Sequence, residues 1–101
     1  MSDAGLQKTN VTLSMLIDSG IILPGAELVC PNPKVRGLLN PDGSIQVIID
    51  GKEKTFQFLS GAARYIEKRS LNGWLYWSTM IDGERQNLGD FRDQFLKMHN
   101  S

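Results

Sequence analysis

The apolar positions along the chain change their period four times, and each change predicts a new kind of element. From Val11 the spacing is helical: Thr12 suits an N-cap, Leu13, Leu16 and Ile17 fall at i, i+3 and i+4, and Gly20 stands where a left-handed residue ends a helix. This predicts a short amphipathic helix. Ile21-Ile22-Leu23 leads to Pro24-Gly25, a turn dipeptide, and the punctuation then becomes that of an antiparallel meander. Leu28-Val29-Cys30 reads as a strand stopped by Pro31 and Pro33, because proline donates no ladder hydrogen bond. Val35 to Leu39 is the next strand, Asn40-Pro41-Asp42-Gly43 a hairpin turn, and Ser44 to Ile49 a strand rich in β-branched residues. Asp50-Gly51 turns tightly into Lys54 to Phe58, where Lys54, Phe56 and Phe58 share one face.

The period then returns to helical. Ser60 is expected to cap a helix to about Lys68, with Ala62, Ala63 and Ile66 inward, Tyr65 beside them, and Arg64, Glu67 and Lys68 outward. Gly61 and the two alanines keep its first turn thin, which either seats the helix tightly on the sheet or lets an anion approach its free N–H groups. Asn72-Gly73 is a turn. Trp74 to Ile81 reads as a strand, apolar on both faces near its start and therefore central. After Asp82-Gly83, Asn87 to His99 places Leu88, Phe91, Phe95 and Met98 inward and Arg92, Asp93 and Lys97 outside. The fold class is α+β: a small antiparallel sheet, a meander plus a Trp-rich strand, packed with short helices. Residues 1–10, polar and aperiodic, are expected to form a flexible arm, and residues 11–99 a single domain.

Composition narrows the class without changing the elements. The 101 residues are 41% apolar and 22% charged, ordinary globular usage that excludes disordered and coiled-coil chains. Cys30 has no cysteine partner within the chain, no apolar run reaches a membrane span, and the first ten residues lack a signal-peptide core; a soluble intracellular protein is expected. Net charge is zero, which counts against a protein that holds nucleic acid by charge alone. The distribution is uneven. Residues 1–50 carry three cations against five anions, residues 51–101 eight against six, and Lys52, Lys54, Arg64, Lys68 and Arg69 gather within one stretch. Such a stretch is either a solvated helix face or a basic patch.

Catalytic constellations are not evident. His99 is the sole histidine, Cys30 is followed by prolines without a nearby base, and zinc spacing, a Walker loop and GxGxxG do not occur. The aspartates sit in turns that already explain them. A binding module without cofactor or metal is the expected class, and not an enzyme.

Several features, in order, resemble the RAMA domain, the module associated with restriction enzymes and adenine methylases. Val11-Thr-Leu-Ser-Met-Leu-Ile-Asp-Ser-Gly-Ile-Ile-Leu-Pro-Gly is similar to the family's opening helix and its exit, and Asn40-Pro-Asp-Gly-Ser-Ile to its hairpin turn. Ser60 with Ala62-Ala63 resembles its small-residue helix start, and Asn72-Gly-Trp with Trp77 its most specific element. The family commonly carries a second serine two positions before the one matching Ser60; here Phe58 stands there. The resemblance implies a non-catalytic, DNA-binding module of a chromatin or DNA-modification protein, nuclear in a eukaryote, with double-stranded DNA as partner. The family's link to N6-methyladenine makes a methylation reader the finer expectation. On that analogy a phosphate sits at the Ser60-Gly61 helix start, Lys54, Arg64, Lys68, Arg69 and Ser70 lie along neighbouring phosphates, Asn72 meets an adenine edge, and Trp74 stacks on a base. Read from the residues alone, Asn72 is equally turn geometry and Trp74 equally core, while Trp77 belongs to the core. The alternative is a protein-interaction module that docks a partner through its C-terminal helix or exposed aromatics without touching DNA. Either way a monomeric domain is expected.

Overall fold

The computed structural model describes residues 11–100, so the expected arm at 1–10 lies outside the described residues. The first helix, α1 (Leu13–Asp18), starts as Thr12 predicts: the Met15 N–H donates to Thr12 Oγ1 and the Thr12 N–H to Met15 Sδ, a reciprocal cap. At its end Gly20, at φ 80°, donates to the Ile17 carbonyl and Ile21 to the Leu16 carbonyl. That pair is a Schellman closure, available because glycine enters the left-handed region without strain.

Six strands form one antiparallel sheet: β1 (Glu27–Val29), β2 (Val35–Leu39), β3 (Ile45–Ile49), β4 (Lys52–Phe56), β5 (Ser78–Ile81) and β6 (Glu84–Asn87), in the order β4-β3-β2-β1-β5-β6. Helices α2 (Leu59–Glu67) and α3 (Gly73–Tyr76) connect β4 to β5, and α4 (Leu88–Asn100) closes the chain. Two hairpins turn on Asp-Gly pairs with both residues at positive φ, 52° and 77° at Asp50-Gly51 and 52° and 82° at Asp82-Gly83. This is type I′ backbone, whose twist matches that of the strands it joins. The first of these turns pairs Lys52 directly with Ile49, so β4 runs two residues earlier than the expected Lys54–Phe58 and Phe58 leaves the sheet.

Leu28, Gly37, Val47 and Lys54 stand directly opposite one another across β1 to β4. Directly opposed residues share a face, and the apolar members of this row enter the core with Leu16, Leu39, Ile45 and Leu88. Trp77 is fully buried among them. A Cβ at Gly37 would lie 3.0 Å from its ring, so the indole rests where β2 has no side chain. Truncating so large a buried group costs about 3–5 kcal/mol.

The aromatic run departs from the strand its pattern predicts. Gly73 to Tyr76 is one helical turn, and β5 begins only at Ser78. Asn72 Oδ1 accepts the Trp74 N–H at 3.0 Å, and the Tyr76 and Trp77 N–H groups donate to the Asn72 and Gly73 carbonyls. A local cap thus overrides the β-propensity of four large residues. The closing helix starts at Leu88 with Phe91 and Phe95 buried as expected, but Met98 is 55% exposed. Among the described residues no helix is long and apolar enough to cross a membrane.

Gly73 is buried against the start of α2: a Cβ there would stand 2.3 Å from the Leu59 carbonyl carbon and 2.4 Å from the Ser60 nitrogen. Backbone atoms in the first turn of a helix cannot step aside as the end of a flexible side chain can. Gly73→Ala therefore loses about 3 kcal/mol, read as a lower midpoint in denaturant unfolding with an unchanged slope. Tyr76 makes a second test. Its hydroxyl donates to Glu67 Oε2 at 2.7 Å, and burial first, then this bond to a carboxylate, push its ionisation well above the usual 10.0. The folded value is the raised one, so the stability this group lends is complete below about pH 10 and drains as pH climbs, when only the unfolded chain releases the proton. Tyr76→Phe should lose about 1 kcal/mol at neutral pH and flatten the fall in unfolding free energy above about pH 10.

Candidate nucleic-acid interface

The expected contacts other than Asn72 divide into two neighbouring groups on either side of the first turn of α2. The first surrounds Tyr65. Lys54 Nζ lies 4.7 Å from its ring centroid and Lys68 Nζ 4.8 Å, and Lys54 also stands 5.6 Å from the Phe56 ring. Phe56 and Tyr65 pack at 5.2 Å. Lys68 reaches this position because it closes α2 in the left-handed region, at φ 63°, with its N–H donating to the Arg64 carbonyl. Sharing one ring holds the two ammoniums within about 10 Å, the Debye length at 0.1 M salt. Each gains from the ring, and as like charges the two repel one another. Arg64, Arg69 and Ser70 are exposed along the same segment.

Ser60 and Asn72 serve the fold first. The N-cap of α2 is Phe58, which supplies no side-chain acceptor, and Ser60 lies inside the helix, where its Oγ accepts the Gly73 N–H at 3.1 Å. This corrects the expected Ser60 cap: the hydroxyl is turned to the α3 turn, which backs directly onto the Leu59–Ser60 peptide. Asn72 commits its amide oxygen to the Trp74 N–H. A bidentate amide pair with adenine needs both amide atoms, so Asn72 in this conformation offers only its NH2.

The second group forms a cleft of about 710 Å³ between the start of α1, the Asp42–Ser44 turn and the first turn of α2. Phe58, Ser60, Gly61, Trp74 and Arg92 line it. Trp74 is half-buried, and the Arg92 guanidinium lies 4.7 Å from its ring centroid. Arg92 Nε is buried with no hydrogen-bond partner. Phe58 is 71% exposed, a large apolar side chain left at the rim. Gly61 borders both groups: it lines the cleft, and a Cβ on it would lie 3.9 Å from Phe56.

Arg92 corrects the outward placement expected for it, and it joins Phe56, Phe58, Tyr65 and Asp42 as site residues outside the expected set of contacts. A signal for Arg92 exists in retrospect, since it follows the buried Leu88 by four residues and shares that flank of α4. Among the described residues no cluster of three or more His, Cys, Asp or Glu could hold a metal ion. A family model described as Restriction Enzyme Adenine Methylase Associated, RAMA, matches residues 2–101. No curated protein matches the chain.

The cleft also carries a carboxylate. Asp42 Oδ1 accepts the Ser44 hydroxyl at 2.6 Å and the Ser44 N–H at 2.9 Å, and these bonds, the hydroxyl's first, hold the carboxyl below its usual 3.8. The folded value is the lowered one, so the stability it lends is present above that usual value and lost as pH falls through the folded one. Ser44→Ala should move the Asp42 titration up towards 3.8 in carboxyl NMR shifts. A titration left in place would mean that the hydroxyl is not what holds it.

Proposed function

The chain belongs to the RAMA family, and on that premise we propose that it is a non-catalytic DNA-binding module of a chromatin or DNA-modification protein, with duplex DNA carrying N6-methyladenine as its finer target. The observation that carries this reading is the convergence of Lys54 and Lys68 on Tyr65, with Arg64 and Arg69 exposed on the same segment. Two ammoniums on one ring form a site for which a phosphate diester is the natural counter-ion, and a strip of four cations follows a backbone over a few nucleotides. Zero net charge supports a short contact of moderate affinity over a long electrostatic one. For the C-terminal helix the protein-docking alternative has less to stand on, because Phe91 and Phe95 are buried and leave Met98 as its exposed apolar residue, while Phe58 is an exposed aromatic that favours docking.

Labelled duplexes with and without N6-methyladenine, titrated at two salt concentrations, test the reading. Binding tighter than about 10⁻⁴ M is expected, with the methylated duplex preferred. Lys54→Ala and Lys68→Ala should each weaken every duplex alike and reduce the slope of log affinity against log salt by about 1. Equal affinities and an unchanged slope would remove the strip from the interface.

A further inference from the structure

The cleft beside the cationic strip has a composition that suits a different part of a nucleotide. Trp74 lines the cleft half-buried with the Arg92 guanidinium over its ring, and Phe58 adds an apolar ring at the rim, 71% exposed at a helix start where a polar cap would serve stability better. Arg92 adds a donor whose Nε is buried without an acceptor, an unmet cost in the unbound domain that a ligand's acceptor removes. Asp42, kept ionised by Ser44, adds an acceptor and disfavours a phosphate in the same space. Ser60 and Gly61 leave that side of the cleft unfilled, and the volume of about 710 Å³ lies in the range of small-molecule sites. The combination fits a neutral planar ring with donors and acceptors on its edge. Through Gly61 the cleft adjoins Phe56, Tyr65 and Lys54, so a ring held there has the cationic strip beside it for its own phosphates.

We propose that this cleft takes a single nucleobase turned out of the DNA stack, held between Trp74, Phe58 and Arg92 while its flanking phosphates lie on Lys54 and Lys68. This assignment rests on the DNA-binding reading above. Turning a base out costs stacking and pairing, and costs least where the base is already mismatched.

The test uses the 101-residue chain and three duplexes of one sequence: fully paired, with one mismatched adenine, and with an abasic site at that position. The mismatched duplex should bind about 10-fold tighter than the paired one, in keeping with the lower cost of extrusion. The abasic duplex, as flexible but without a base to insert, should not show that gain. Phe58→Ala and Arg92→Met should bring the mismatched-to-paired ratio to about one, whereas Lys54→Ala should lower all three affinities together. Phe58 is exposed, so its variant carries the test if Arg92→Met fails to fold. A wild-type chain that binds all three duplexes equally, or a preference that survives Phe58→Ala, overturns the base-binding cleft and leaves DNA binding standing. Failure to bind any of the three overturns the DNA-binding reading, and the cleft assignment with it.

Discussion

The structure depends on one close approach, that of Gly73 to the Leu59–Ser60 peptide at the start of α2. Two hydrogen bonds secure it: the Gly73 N–H donates to Ser60 Oγ, and Trp77 Nε1 donates to the Leu59 carbonyl at 3.2 Å inside the core. The second bond also satisfies the one polar atom of the largest fully buried side chain, without which its burial would carry a desolvation cost. Trp77 then carries the constraint outward. Its ring lies over Gly37 in β2, and its carbonyl accepts the Leu88 N–H that begins α4. The sheet, α2 and α4 are thereby set in position by one residue and the glycine four places before it.

That arrangement decides what the neighbouring residues are free to do. Because Ser60 and Gly73 occupy each other, the helix start is a structural joint, and the cations gather along the flank of α2 around Tyr65. Because Gly73 to Tyr76 is a helical turn, Trp74 and Trp77 fall in different environments: Trp77 enters the core, and Trp74 sits half-buried under Arg92. In an extended strand residues three apart also point to opposite faces, but Trp74 would then share its face with Tyr76. The turn instead ties Tyr76 to Glu67 on α2 and leaves Trp74 in the cleft.

Much of this was legible wherever local chemistry and burial pattern agree. The cap at Thr12, the closure at Gly20, the span of β2 and both Asp-Gly turns follow from backbone preferences that no distant contact opposes. The helical turn at Gly73 was not legible, because Trp-Leu-Tyr-Trp has strand propensity and the opposing influence is a cap and a glycine contact 13 residues back in sequence. β6 was hidden for another reason. Glu84-Arg85-Gln86-Asn87 lies at the edge of the sheet without the apolar alternation that marks a strand, and only the preceding Asp82-Gly83 turn announces it. In the site, the cluster of Lys54, Lys68 and the exposed arginines was readable as charge, whereas the pairing of Arg92 with Trp74 joins residues 18 apart that only the packing of α4 brings together.

Lys54 shows how a neutral chain can still present a strong local field. It stands in the row formed by Leu28, Gly37 and Val47, on the face that carries the core, where a hydrophobic residue would add to it. Its ammonium is tolerated because β4 is an edge strand and the Phe56 and Tyr65 rings lie beneath it. A lysine there also keeps the exposed edge of β4 from pairing with another sheet. Edge protection alone would be served by any charge on the strand, Glu53 included, and it does not require a second ammonium from α2 over the same ring. The like-charge repulsion that Lys68 adds is set against what each ammonium gains from the Tyr65 ring, and the pair concentrates positive charge at one place on a chain whose net charge is zero.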